Sequence, residues 1–249
     1  MTAHTYLTPN DVEVPAVTTD QMREIDRVAI EEVGPNLYQM MENAGRNLAL
    51  TAIETMGPDW DRAPVVVLAG TGGNGGGGIC AARHLANRGA DVTVVISDPA
   101  NLGTVPAHQL SVYEATRGKV AAVSTLETVT AALVVDSIIG YSLRGAAAGA
   151  AAEMIEWAGG QPVPVVSLDV PSGIDSTTGQ AEGAHVAAAR TLTLALPKTG
   201  LDVAATGDLW LGDIGIPQEV YRRVGFVVPG TVFGSAYRVQ IRPVQGRRG

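Results

Sequence analysis

One stretch, VVVLAGTGGNGGGGICAARHLANRG from Val65 to Gly89, constrains the fold more than any other. It opens with five apolar residues, the length and composition of a strand buried in a parallel sheet. Seven glycines follow within nine residues, broken only by Thr71 and Asn74. Ile79, Cys80, Ala82 and Leu85 then recur at helical spacing, and Gly89 supplies a stop. Strand, glycine loop and helix in that order make a phosphate cradle: glycines let backbone N–H groups approach a ligand, and the helix N-terminus adds partial positive charge. Tight turns alone need one or two glycines, and more of them cost chain entropy. The run over residues 70–78 is therefore expected to be a ligand-binding loop.

A chain of 249 residues fits one large α/β domain. With 46% hydrophobic and 17% charged residues, a sizeable core is available and the composition argues against global disorder. The net charge of −8 argues against nucleic acid as a partner, which would need a basic face. No apolar run reaches the length of a membrane span, and the N-terminus carries no basic segment followed by an apolar one. A cytoplasmic protein without membrane contact is the expectation. The single cysteine, Cys80, excludes an internal disulfide framework and a Cys-rich metal site, and reads as a small packed residue. His4, His84, His108 and His185 are scattered, so neither a zinc site nor a histidine-based triad is expected.

Residues 1–16, with Pro9 and Pro15, read as an irregular lead-in. Thr18 and Gln21 then form a capping box ahead of an apolar stripe of Met22, Ile25, Val28, Ala29 and Val33, which Gly34-Pro35 ends. A second helix from Leu37 to about Met56 offers Met40, Met41, Ala44, Leu48, Ala49 and Ile53 as its packing side. After this N-terminal helical pair, strand and helix signals alternate, with strands ending near Ala69, Asp98, Gly140, Asp169 and Lys198 and a short helix around 184–189. The pattern predicts an α/β fold of three layers, Rossmann-like, with a mostly parallel sheet and helices on both faces. The domain is read as residues 17–223, with 224–249 a β-like extension of it whose end is frayed.

Such sheets bind ligands beyond the carboxyl ends of their strands, so residues just after each strand are the candidates. Asp169 ends VVSLD and precedes a proline turn, a poorly solvated position suited to acid or base work or to capping the turn. Asn74, Asp136 and Ser172 would together make an oxygen-only site for an alkali or alkaline-earth ion. Gly140 to Gly145 looks like a second backbone cradle in which Arg144 faces a phosphate or water. Lys198 reaches a phosphate or a carbonyl, or is simply solvated. Gly70, Gly72 and Gly75 also spell G-x-G-x-x-G, with Asp98 placed to hold a ribose as in a nicotinamide-dependent oxidoreductase.

Taken together, the motifs resemble the NAD(P)H-hydrate epimerase family, the YjeF N-terminal domain. TTDQMREIDRVAIEE and LYQMMENAGR look like its opening helices, GTGGNGGGGICAARHL like its glycine loop, and VVDSIIGYSLRG, VSLDVPSGID and LALPKTGL like its later blocks, in the same order from about residue 17 to about 223. The resemblance implies an isomerase that interconverts the R and S epimers of hydrated NADH and NADPH, NADHX and NADPHX. It implies Asp169 as the acid/base in contact with substrate, and a potassium ion held by Asn74, Asp136 and Ser172. It implies a substrate cradle of Gly73, Asn74, Gly75, Gly76 and Gly77 with Gly140, Tyr141, Ser142, Leu143, Arg144, Gly145 and Ala146. A homodimer is expected, together with a separate ADP- or ATP-dependent dehydratase as the partner activity, since the chain's length leaves no room for one fused to it. Two positions depart from the family pattern: Gly73 stands where it has Asn, and Gly77 where it has Asp. A lost charge-assisted hydrogen bond is worth about 1.5–3 kcal/mol. A non-catalytic nucleotide-binding module and an oxidoreductase therefore remain as alternative readings.

Overall fold

The computed structural model describes residues 5–201 and 203–244. Its strands are β1 (Thr5–Leu7), β2 (Glu13–Pro15), β3 (Val65–Ala69), β4 (Val92–Ile96), β5 (Lys119–Ala121), β6 (Leu133–Ser137), β7 (Val165–Leu168), β8 (Arg190–Leu194), β9 (Asp208–Gly212), β10 (Arg238–Gln240) and β11 (Arg242–Pro243). The α-helices are α1 (Thr19–Arg27), α2 (Leu37–Met56), α3 (Gly73–Ala86), α4 (Thr104–Glu114), α5 (Ala150–Gly160) and α6 (Gln218–Arg223). Eight strands form one sheet in the order β10-β9-β8-β7-β6-β3-β4-β5, parallel throughout except for the antiparallel β10 at the edge.

Side chains alternate across this sheet, as strand geometry requires. Val65, Val67 and Ala69 of β3 pack with Leu48, Ala49, Ile79, Ala82 and Leu85 from α2 and α3. Val66 and Leu68 point the other way, onto Met154, Ile155 and Trp157 of α5. The three-layer α/β expectation is met. The first helix starts with the expected capping box of Thr18 and Gln21, and the second starts at Leu37 as expected, with a further capping box of Asn36 and Gln39 that sequence reasoning missed. After Arg27, α1 widens into a π-helical turn over Val28–Val33 that stops at Gly34, whose φ is +113°. Met22, Ile25, Val28 and Ala29 sink into a second core with Met40 and Ala44 of α2 and with Leu209, Leu211 and Val220.

Three sequence expectations are corrected. The lead-in of residues 1–16 is not irregular over its described part: β1 and β2 pair with each other and with β11, so the two chain ends share a small antiparallel sheet. The short helix expected at 184–189 is absent. Its backbone instead pairs with neighbouring loops, Val186 N–H donating to the Ser172 carbonyl and Ala188 N–H to that of Ala205. The expected fraying at the extreme C-terminus falls on residues 245–249, outside the described ones.

The third correction concerns the glycines. Helix α3 begins at Gly73, so most of the run is helix rather than loop. A Cβ on Gly75 would stand 1.8 Å from the carbonyl oxygen of Gly70, and one on Gly78 would stand 1.8 Å from Ser137 Oγ. Gly75 to Gly78 are buried. They bring α3 against the tips of β3 and β6 and against Met41 of α2 at a distance no side chain permits. Gly78→Ala is expected to destabilise the fold by about 1–3 kcal/mol through overpacking. Gly73→Ala, with no neighbour within 4 Å, is expected to be neutral or to stabilise by up to about 1 kcal/mol. Urea unfolding of both variants distinguishes packing from loop flexibility as the role of the run.

Candidate functional site

The parallel register brings the ends of β3, β6, β7 and β8 together, pairing Ala69 with Ser137, Asp136 with Ser167, and Leu168 with Leu192. Beyond these tips lies a cavity of about 240 Å³. Its polar lining comes from Asp26, Asn74, Tyr141, Ser142, Asp169 and Lys198, and its apolar lining includes Met22, Met40, Met41 and Leu168.

Asp169 directly follows β7 with φ of +67°, in the left-handed region that a non-glycine residue seldom occupies and that Asp tolerates best. Only 4% of it is exposed. Its Oδ1 forms a buried ion pair with Lys198 Nζ and accepts a long bond from Leu194 N–H at 3.3 Å, and its Oδ2 accepts from Tyr141 N–H at 3.1 Å. Lys198 is 1% exposed and also donates to the Leu194 carbonyl at 2.9 Å. The lysine is thus not solvated; it is the counter-ion of Asp169. Its ammonium also lies 5.8 Å from the centroid of the Tyr141 ring.

Behind Asp169, the Asp136 carboxylate is completely buried. It accepts from Ser172 Oγ at 2.5 Å and Ser172 N–H at 2.9 Å, from Ser167 Oγ at 2.7 Å and from Ile138 N–H at 3.3 Å. Burial pushes its pKa up, against these hydrogen bonds. Among the described residues no lysine or arginine pairs with it. Asn74, in the first turn of α3, has a buried amide nitrogen without a hydrogen-bond partner among the described residues. Asp136 is thus a buried carboxylate answered only by neutral donors, a charge that a hard cation on oxygen ligands would neutralise; the unpartnered Asn74 nitrogen is itself a donor, so only its amide oxygen suits such an ion.

Of the predicted cradle, the structure brings Gly73, Asn74, Gly140, Tyr141 and Ser142 to the cavity. Gly75 and Gly76 are buried in helix packing and do not line it. Leu143, Arg144, Gly145 and Ala146 lie further along the same loop and outside the cavity wall, with Arg144 exposed. A Cβ on Gly77 would meet Leu168 Cδ2 at 2.7 Å, with Ala44 Cβ at 3.9 Å, and both of those residues wall the cavity. Leu168 therefore fills the space that a side chain at 77 would take. Asp98 is exposed and accepts from Asn101 Nδ2 at 2.7 Å.

Sequence reasoning missed Asp26. It accepts the Tyr141 hydroxyl at 2.6 Å and lines the cavity from α1. Burial raises its pKa, opposed by the Tyr141 hydrogen bond and the Lys198 charge. The signal was present, for Asp26 follows Met22 by four and precedes Ala29 by three, placing a carboxylate on the apolar side of the helix. A second cluster lies on the outer side of α3, where His84 Nε2 meets Glu42 Oε1 at 2.8 Å and Cys80 Sγ donates to Glu42 Oε2 at 3.4 Å. Arg83 pairs with the same carboxylate, so its charge is already answered. Burial pushes the Cys80 thiol up to about 12, in keeping with a packed, unreactive cysteine.

The family model described as "YjeF-related protein N-terminus" matches residues 37–200. The chain is 48% identical to the NAD(P)H-hydrate epimerase of Dehalogenimonas lykanthroporepellens over 95% of this chain and 96% of that one. It is 38% identical to the bifunctional NAD(P)H-hydrate repair enzyme Nnr of Salinibacter ruber over 84% of this chain, spanning 42% of that protein. A crystal structure of the yeast protein YNL200c superposes with a TM-score of 0.78 at 23% identity, covering 92% of this chain and 99% of that one, which shows the same fold.

Lys198→Met would leave the Asp169 carboxylate buried without its cation, and is expected to cost about 3–5 kcal/mol. Adding Asp169→Asn should restore part of that loss in a double-mutant cycle. Asp26→Asn is expected to act oppositely at neutral pH. Because burial raises the pKa of Asp26, the folded state binds its proton more tightly than the unfolded chain and carries a desolvated charge once ionised. Stability from this group therefore grows as pH falls, and the gain in melting temperature from Asp26→Asn should shrink towards pH of about 4. Thermal melts across pH test both expectations.

Proposed function

This chain belongs to the YjeF N-terminal family of NAD(P)H-hydrate epimerases, and from that premise we propose that it interconverts the R and S epimers of NADHX and NADPHX. The observation that carries the reading is Asp169, a carboxylate in left-handed backbone, nearly buried, ion-paired with Lys198 and lining the cavity.

The chemistry suits such a pair. Carbon 6 of the hydrated nicotinamide ring bears a hydroxyl and adjoins the ring nitrogen. Protonating that hydroxyl lets it leave as water while the nitrogen lone pair forms a C=N bond. Water then adds to the other side of the ring and gives up a proton. In this reading Asp169, as acid/base, exchanges those protons with the substrate, and Lys198 fixes the carboxylate and holds a proton within reach. The methionine-rich wall contributed by α1 and α2 covers the ring and limits free water. Gly73 and Asn74 at the start of α3 and Gly140 to Ser142 hold the part of the nucleotide next to the ring, and the loop onward to Ala146 offers backbone to the part that leaves the cavity. Leu168 stands where a longer side chain at 77 would reach, so substrate contact there is apolar.

A potassium ion held by the oxygens of Asn74, Asp136 and Ser172 is part of this reading, supported by the buried Asp136 charge that only neutral donors answer. When bound, it would neutralise the buried charge of Asp136 and so fix the loops that follow β6 and β7. A dehydratase activity specific for the S epimer would consume the product. A homodimer is the expected assembly.

A coupled assay tests the reading. The R epimer of NADHX, the purified protein and an S-specific dehydratase are combined, and NADH recovery is followed in potassium and in a large organic cation. Recovery is expected well above the spontaneous rate, slower without potassium, and reduced by about 10²–10⁴-fold in Asp169→Asn. No acceleration at high enzyme concentration would sink the epimerase reading and favour a nucleotide-binding module.

A further inference from the structure

Epimerisation places a demand on the cavity that Asp169 alone meets poorly. The departing hydroxyl and the entering water lie on opposite sides of one ring carbon, and each event needs a proton transfer. A single carboxyl can serve both only if the flat intermediate turns over within the site. The ring is tethered through its nitrogen to the ribose, so turning over between Met22, Met40, Met41 and Leu168 requires the whole nucleoside to reorient in the site.

A second carboxylate lines the same cavity. Asp26 comes from α1, whereas Asp169 follows β7, so the two approach from different structural layers. Asp26 forms no ion pair with a described residue, and its one hydrogen bond to a described residue is the 2.6 Å contact from the Tyr141 hydroxyl. Tyr141 joins the two groups, since its hydroxyl binds Asp26 while its own N–H binds Asp169 Oδ2 at 3.1 Å. The other charged or titratable groups near them are Lys198 beyond β8, Arg23 on α1 and Tyr221 on α6.

We infer that Asp26, positioned by Tyr141, is a second proton-transfer group of the epimerisation, acting on the ring side that Asp169 does not serve. The inference rests on the epimerase reading. One carboxyl gives its proton to the C6 hydroxyl, the C6–O bond breaks with its electron pair leaving on water, and the nitrogen lone pair forms the C=N bond. Water bonds to C6 from the other side, the π pair returns to nitrogen, and the other carboxylate takes the proton. The two groups exchange roles for the opposite epimer, and no oxidant or co-reactant is needed. Burial favours the protonated form of Asp26, in keeping with a group able to donate.

Oxygen exchange separates this role from a structural one. Each purified epimer is incubated with enzyme in ¹⁸O-water, and the two epimers are separated and weighed by mass spectrometry. Wild type should label both as it interconverts them. Asp26→Asn should epimerise at least about 100-fold more slowly, while one starting epimer still exchanges its hydroxyl within about tenfold of the wild-type rate. That epimer is the one whose hydroxyl faces Asp169. Tyr141→Phe removes a hydrogen bond that favours ionised Asp26, so the acidic limb of its pH–rate profile should move to higher pH. Parallel loss of exchange and epimerisation in a folded Asp26→Asn overturns the inference, as does epimerisation at the wild-type rate. If Asp26→Asn does not fold, an unshifted Tyr141→Phe profile overturns it. A wild-type protein that neither exchanges nor epimerises removes the epimerase reading, and this inference with it.

Discussion

The contact between the first turns of α3 and the sheet governs the rest of the molecule. Gly75 and Gly78 sit where any Cβ would collide with the Gly70 carbonyl or with Ser137 Oγ. Removing those side chains lets the helix lie against the ends of β3 and β6. It also sets Asn74 beside Gly140 and Asp169, since a Cβ on Gly140 would stand 3.1 Å from both Asn74 Oδ1 and Asp169 Oδ2. The cost in chain entropy is borne by a helix already anchored by Ile79, Ala82 and Leu85 in the core. Close approach of backbone to backbone, rather than a floppy phosphate loop, is what the glycines provide.

The electrostatics of the cavity follow from that compactness. Three carboxylates, Asp26, Asp136 and Asp169, lie partly or fully out of water around the strand tips, with Lys198 as the single buried cation among the described residues that pairs with any of them. Each carboxylate has a different solution to its desolvation. Asp169 has an ion pair, Asp136 has four neutral donors, and Asp26 has one tyrosine hydroxyl and a raised pKa. Environments that push like groups apart are how one site holds both a donor and an acceptor of protons. The surrounding methionines and leucines strengthen every one of these interactions by excluding water.

Much of the site was legible before any coordinates. Asp169 and Asp136 were found because a buried strand that ends in a carboxylate is chemically conspicuous, and Lys198 because it closes an apolar strand. Their partners were not legible. That Lys198 meets Asp169 depends on β7 and β8 being neighbours in parallel register, a contact across 29 residues of sequence. Asp26 was hidden in a helical stripe read only for its apolar members. From sequence alone the glycine run reads as a loop, because composition records the absence of side chains, not what occupies the space they vacate.

The sequence by itself determined the order of the main strands and helices, the capping box at Thr18, and the residues left at strand tips, because these depend on local periodicity and local hydrogen bonding. The tertiary structure alone decided the rest. It joined the two chain ends in one small sheet, turned the glycines into a packing surface, left Arg144 outside the cavity, and brought Asp26, Tyr141, Asp169 and Lys198 to one point. Those outcomes rest on contacts between segments far apart in the chain. Their energies depend on desolvation and close packing, which no local pattern of residues encodes.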